Sequence, residues 1–533
     1  MSATAPAPRS KTAARLAPVV ALLLVAFFVR AHAALAMPAF NDESLHIRRS
    51  EIVWTFENPA TSFTAGKLLG YYWLGAFGFH RLDALHGGRL VYALAILIGA
   101  AATYRVGRAL FGHAVGLLAL LFYTVAPYLV FYERMILADQ IAAAFGMLAV
   151  WAAIRLARNP TRRAGLLSGA FVSLAALAKL TAAPFALVSL VAIWTLGERS
   201  PVSPTGARWR DRLARIVPPR YWPALGTAYA FNILTGLPFI LFPIFREVQQ
   251  EPVLLVGTNL FVTSGFHRVI AENIPALGEM LGGFFGAPAV IVAAIAVVWA
   301  LAVARRRALF LALCVLLPWS IILVLSPNPS NRYWLLGMPP LFVLVAAGLW
   351  RGADALARRV GRIPARIGLA LLIATWLAGI ALPFVWDAWH DPLALHVPEH
   401  DRWEYYTNFS SGYGWREAVD AMHALPRSET SGRVPVVSTI VGCHALRLYV
   451  PEDGVLNIKC PFFGWEGEHI DNVIADLEGF LAAESVTYLL AEPDAPFVDL
   501  ARLPVRLALV ERFERPFGGV AVDLYRVTSR EAG

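Results

Sequence analysis

Residues 282–307 read GGFFGAPAVIVAAIAVVWALAVARRR. From Ala287 to Ala304 no side chain is charged or strongly polar, and three arginines close the run. About 20 apolar residues in a helix, at 1.5 Å of rise each, cross a hydrocarbon core. Inside lipid every backbone polar group needs a partner in its own segment, which makes this run a helix. Runs of the same kind recur outward from it, from Leu16 to Phe384. We read eleven spans, at about 16–36, 89–109, 114–132, 140–157, 164–180, 184–197, 221–243, 282–304, 308–325, 333–350 and 366–385. Lys179 and Pro184 interrupt 164–197, which reads as two short helices or one long one.

Composition agrees. The 533 residues are 58% hydrophobic and 16% charged, with a mean hydropathy of +0.57. A soluble domain carries about 25% charged residues. A membrane β-barrel would show alternating segments of about ten residues, and the sequence has none. The formal charge of +9 does not indicate a nucleic-acid partner, because the basic residues form no patch.

Their distribution follows the membrane instead. With the N-terminus inside, one set of connections holds 23 Lys or Arg against three acids, Glu198, Asp211 and Asp354. The opposite connections before residue 386 hold 11 of each sign. This asymmetry is the positive-inside pattern, and it sets the N-terminus in the cytoplasm and residues 386–533 outside. Joining 164–197 into one span would move the Arg199–Arg220 loop, with its six arginines, to the wrong side. The run from Leu16 to Met37 is longer than a usual signal-peptide core, so we read residues 1–15 as a cytoplasmic tail and the run as an uncleaved first span.

Residues 386–533 are a different material, with 12 basic and 23 acidic residues. They read as a small α/β domain. Strands are expected at Val434–Ile440, Val455–Ile458 and Thr487–Leu490, a helix at Ile470–Ala483, and a hairpin of Leu507–Phe513 with Val520–Val527 around Gly518-Gly519. Cys443 and Cys460 lie here. They form a disulfide in an oxidising compartment or stay as two thiols, and their spacing matches no zinc pattern. Asn408-Phe409-Ser410 matches a glycosylation acceptor pattern of little specificity. The long outer connections, residues 38–88 and 244–281, contain amphipathic pieces at Leu45–Phe56 and Val253–Val262 suited to a membrane surface.

Candidate reactive residues gather on the outer side. Pro38-Ala39-Phe40-Asn41-Asp42-Glu43 opens the first outer loop. The structural reading makes Asp42 a helix cap. The functional reading makes it a general base, or a metal ligand at the membrane surface. Tyr132-Glu133-Arg134-Met135-Ile136-Leu137-Ala138-Asp139-Gln140 is a charged cluster between two apolar helices. Here the structural reading is an ion pair, Arg134 with Asp139 or with Glu133. Lys67, Lys179 and Arg332 are further outer cations. Each alone suits a snorkelling interface residue, but with Arg134 they form a ring matched to a lipid phosphate. A divalent ion is the one cofactor to consider, with Glu43, Asp139 and His46 as its ligands. No HExxH, CxxC or GxSxG pattern occurs.

In this order the motifs resemble the GT-C glycosyltransferases, the group of protein O-mannosyltransferases and bacterial aminoarabinose transferases. Asp42-Glu43 resembles that family's Asp-Glu motif in the first outer loop. Arg134-Met135-Ile136-Leu137-Ala138-Asp139 resembles its Arg…Ile-Leu-Leu-Asp motif. Gly66-Lys67-Leu68-Leu69-Gly70-Tyr71-Tyr72-Trp73 resembles its Lys-Pro-Pro-Leu…Trp segment without the two prolines. Ala178-Lys179-Leu180-Thr181, Arg332-Tyr333…Pro339 and Ser411-Gly412-Tyr413-Gly414 also resemble family segments. The resemblance implies a polytopic helical fold with a small outer domain, and transfer of a sugar from a polyprenyl-phosphate carrier to an acceptor hydroxyl on a protein, lipid or glycan, with inversion. It makes Asp42 the base. Glu43 and Asp139 shape the site, and Arg134, Lys67, Arg332 and Lys179 hold the donor phosphate. Two other classes compete: a transporter or flippase of a lipid-linked substrate, and a membrane-anchored binding protein. Transporters place polar residues near the midplane in broken, repeated helices, whereas these spans are almost free of buried charge and show no repeat.

Overall fold

The computed structural model describes residues 9–57, 67, 69, 70, 73, 74, 83–198, 217–241, 266–326, 330–461, 470–495 and 498–529. The segment Val253–Val262, most of the Arg199–Arg220 loop and much of 58–82 lie outside them. The chain divides into two compact units. One contains Met1–Ala34, Ser50–Phe77 and Arg89–His396; the other contains Leu35–Arg49, Gly78–Gly88 and Val397–Gly533.

The first unit is helical. Among the described residues five helices are long and apolar enough to cross a membrane: Ala84–Phe111, Ala138–Arg158, Arg305–Val324, Asn331–Val360 and Arg362–His390. The quoted run forms the helix Ala287–Val303. It meets Ile270–Phe285 at an angle of 111°, a bent pair that would make a sixth crossing. Gly286 lies at the bend with φ of 75°, a conformation glycine adopts without penalty, and Pro288 starts the second arm. A second break falls at Lys179, which is extended between the helix Arg162–Ala178 and the 3-10 turn Leu180–Leu187. Val188–Leu196 then continues as α-helix.

Outward faces here are apolar: Ile363, Leu371, Ile295 and Val298 are all more than half exposed. That pattern suits lipid as the neighbouring phase. Inward, small residues bring backbones together. A Cβ on Gly165 would stand 2.0 Å from the Ala224 carbonyl, and one on Gly169 2.5 Å from that of Ala228. Such small residues four apart let two membrane helices pack at short range.

The second unit is built on a five-stranded sheet. Its strands are β1 (Val434–Ser438), β2 (Leu456–Lys459), β3 (Thr487–Ala491), β4 (Val505–Arg515) and β5 (Gly519–Ser529), in the order β2-β1-β3-β5-β4. The first three neighbours are parallel, and β5 runs antiparallel to β3 and β4. Alternation along β1 divides its side chains between two cores. Val434 and Val436 pack with Trp415, Val419 and Met422 of the helix Trp415–His423. Val437 packs with Val473 and Leu477 of the helix Ile470–Ala483. Asn408 and Ser410 are both buried, so the glycosylation pattern does not lie on an accessible loop.

A disulfide and a buried ion pair are among the ties that hold this unit. Cys443 and Cys460 are joined, with Cα atoms 5.9 Å apart. Closing a loop of this length stabilises by about 3 kcal/mol. Replacing both cysteines by serine is therefore expected to lower the unit's unfolding free energy by about that amount. Denaturant titration followed by limited proteolysis would measure it, and an unchanged midpoint would contradict it. The second tie is Arg515–Glu492, at 2.5 Å with both side chains essentially unexposed. Removing one member of such a pair leaves a buried charge uncompensated, at a cost of about 3–5 kcal/mol. Glu492→Gln should show a loss of this order in the same titration. The double change with Arg515→Met should recover much of it.

Candidate active site

Three arginines stand near the start of the cluster in the helical unit. Arg30, in the last turn of Arg9–Ala31, is buried, as are Arg89 and Arg134. Arg30 pairs with Glu133 at 2.7 Å, and Tyr123 donates its hydroxyl to the other carboxylate oxygen at 2.7 Å. Further Arg30 donors reach the carbonyls of Tyr123 and Thr124. Arg134 instead donates to three carbonyls: Val29 and His32 at 3.1 Å each, and Ala33 at 2.7 Å. Ala33 has φ of 47°, and this left-handed residue just beyond the helix turns those carbonyls toward one guanidinium.

Both expected ion pairs of Arg134 are corrected by this geometry. Glu133 serves Arg30, 103 residues away in sequence, and Asp139 serves Lys179 at 2.6 Å. Carbonyls orient Arg134 without neutralising it. Three of its five N–H groups are used, and no carboxylate among the described residues contacts it. Burial, with Arg89 and Arg30 nearby, lowers its pKa to about 9.

The remaining cations separate into two cases. Arg332 is buried in the 3-10 turn Asn331–Gly337. Its guanidinium lies 5.5 Å from the Tyr333 ring centre, and Lys179 Nζ lies 4.1 Å from the same ring. Asp139, Lys179, Tyr333 and Arg332 thus form one linked group. Tyr128 ties the turn down by donating to the Asn331 carbonyl at 2.7 Å. Lys67 is half-buried. Its neighbour Gly70 is close-packed, with a Cβ there meeting the Tyr92 hydroxyl at 3.3 Å.

Asp42, Glu43 and His46 belong to the other unit. The helix Asn41–Trp54 starts at Asn41, which places both acids in its first turn. Glu43, fully buried, accepts the Phe40 N–H at 3.0 Å, and its own N–H reaches the Phe40 carbonyl. The helix starts at Asn41 and not at Glu43, so Asp42 lies within its first turn, and Glu43 reaches back as the third helical residue of a capping box does. Asp42 is half-buried and His46 buried. Among the described residues no three His, Cys, Asp or Glu side chains stand close enough to hold a metal ion. Asp139 is held by Lys179, and Glu43 accepts a backbone N–H at the helix start.

Sequence reasoning missed Arg30 and Arg89. The available signal was a charged residue inside or beside an apolar span, which needs a partner or a function.

Residues 69–206 match the sequence model of the family described as dolichyl-phosphate-mannose-protein mannosyltransferase. Over that segment the chain resembles the GT-C glycosyltransferases. The structure of ArnT from Cupriavidus metallidurans bound to undecaprenyl phosphate is similar at 15% identity, with a TM-score of 0.54 over 96% of this chain and 98% of that one. The same protein in the apo state gives 15% identity and a TM-score of 0.50 over 98% and 99%. The archaeal oligosaccharyltransferase AglB from Archaeoglobus fulgidus, in complex with an inhibitory peptide and a dolichol phosphate, gives 13% and 0.48 over 90% and 70%. No curated protein sequence matches the chain at a significant level.

Proposed function

We propose that the protein moves a sugar from a polyprenyl-phosphate carrier to an acceptor hydroxyl on the outer face of the membrane, inverting the anomeric configuration. The observation that carries this reading is Arg134, a buried cation fixed by carbonyls with no carboxylate contact among the described residues. A buried charge of that kind is costly unless an anion completes it, and a lipid phosphate supplies one.

The chemistry is one displacement. The acceptor oxygen forms a bond to the anomeric carbon as the bond from that carbon to the carrier phosphate breaks. The hydroxyl proton goes to Asp42, and the phosphate leaves with the electron pair. Phosphate needs no strong acid to depart, so cations placed where its charge develops are sufficient. Arg134, Arg332 and Lys67 take that role. Lys179, neutralised by Asp139, acts by holding Tyr333 beside Arg332. The prenyl chain lies in lipid against the apolar helix faces.

Eleven crossings, a cytoplasmic N-terminus and an outer sheet-bearing unit complete the proposal. The arginine asymmetry supports the orientation, and a disulfide suits an oxidising compartment. Mass spectrometry of cell-envelope glycans and lipids, with and without the protein, tests it. A sugar substituent lost with the protein supports the transfer and names sugar and acceptor together. An unchanged envelope, with the protein present in the membrane, contradicts it.

A further inference from the structure

The turn Ser410-Ser411-Gly412-Tyr413-Gly414 and Tyr449 lie far along the chain from Asp42, yet in the same compact unit. Their contacts converge on the three residues before it. Asn41 N–H donates to the Ser410 carbonyl at 3.0 Å. Ala39 N–H donates to the Tyr449 hydroxyl at 2.7 Å. The Phe40 ring lies 4.5 Å from that of Tyr405. At Gly412 a Cβ would stand 2.0 Å from the Ala39 carbonyl oxygen, so the two backbones touch with no room for a side chain.

The turn is in turn held from within the sheet. Arg515 donates to the Tyr413 carbonyl at 3.2 Å while paired with Glu492. Gly414, at φ of 83°, starts the helix Trp415–His423. The Tyr449 hydroxyl, the Tyr405 ring and the Ser410 carbonyl therefore hold residues 39, 40 and 41 in turn, and the buried ion pair holds the turn that carries Ser410. Glu43 then caps the helix that begins there. Ala39 and Phe40 are buried at this docking, and Tyr449 also packs against the core that holds Trp415.

We infer that Gly412 and Tyr449 are positioning residues for Asp42: the sheet-bearing unit sets where the carboxylate stands by gripping the backbone of Ala39–Asn41. The inference rests on the proposed role of Asp42 as base. A carboxylate that must take a proton in the transition state is sensitive to displacement, and about 1 Å costs on the order of 100-fold.

The test uses the full-length protein in membranes, with three variants, Gly412→Ala, Tyr449→Phe and Asp42→Asn. Donor sites are counted by saturation with a radiolabelled polyprenyl-phosphate sugar, and turnover is expressed per donor site. Gly412→Ala should lower kcat per site by about 100-fold with the donor KM within a few-fold of wild type. Tyr449→Phe, which removes one hydrogen bond, should lower it by about 3- to 10-fold. General misfolding would reduce the number of sites and leave turnover per site unchanged. Wild-type turnover per site in both Gly412→Ala and Tyr449→Phe, with Asp42→Asn inactive, overturns the positioning role and leaves the base assignment standing. An active Asp42→Asn overturns the base assignment itself. If Gly412→Ala yields no donor sites, Tyr449→Phe decides: a lowered kcat per site supports the inference, and an unchanged one refutes it.

Discussion

Asp42→Asn is expected to reduce sugar transfer by about 1,000-fold, within the span ascribed to a positioned general base, while the protein still reaches the membrane. Asparagine keeps the shape of aspartate and its suitability for the first turn of a helix, so folding is spared. In the proposed mechanism what it loses is the capacity to take the acceptor's proton. The geometry separates the two adjacent acids. Glu43 is fully buried and spends a carboxylate oxygen on the Phe40 N–H, the arrangement of a helix cap. Glu43→Gln keeps that cap and should therefore cost much less than Asp42→Asn. The assay follows label leaving a polyprenyl-phosphate sugar, normalised to protein in the membrane. Full activity in Asp42→Asn would remove Asp42 from the mechanism.

Arg134→Ala should raise the donor KM by about 100-fold, the scale for removing one side of a buried charge contact. Its guanidinium spans the carbonyls of Val29, His32 and Ala33 and keeps further N–H donors for an anion. Lysine cannot reproduce that fork, so Arg134→Lys should recover only a small part of the loss. Acceptor KM should stay near wild type, since the change acts on the leaving group. Arg134 has a purely structural alternative, because it also caps the end of the helix Arg9–Ala31. If that were its whole role, the variant would lose stability with an unaltered donor dependence. A donor titration of the purified variant separates the two outcomes.

How much of this was legible in the sequence depends on the range of the interaction. The apolar run 282–304 and its closing arginines are local, and the helix Ala287–Val303 stands there. The interruption at Lys179 is local too, and the helix ends at that residue. The bend at Gly286 was not anticipated, because Phe266–Phe285 falls where an outer connection was expected. Ion pairing was misread for a physical reason. Neighbours in sequence, Glu133 with Arg134, suggest a pair, but packing gives Glu133 to Arg30 and Asp139 to Lys179. Such partners depend on which helices meet, which no local pattern records. The segment 411–414 was visible as a family resemblance, whereas its contact with Ala39 was not.

The central claim is that the carrier's bond to its sugar is broken here. The most direct measurement incubates the purified protein in lipid vesicles with a polyprenyl-phosphate sugar labelled in both prenyl and sugar parts, together with an envelope extract as acceptor. The account predicts that labelled sugar appears on an acceptor while unsubstituted polyprenyl phosphate accumulates in equal amount, and that Asp42→Asn stops both. Intact carrier moved to the other leaflet, with both labels still joined, would contradict it and identify the protein as a flippase.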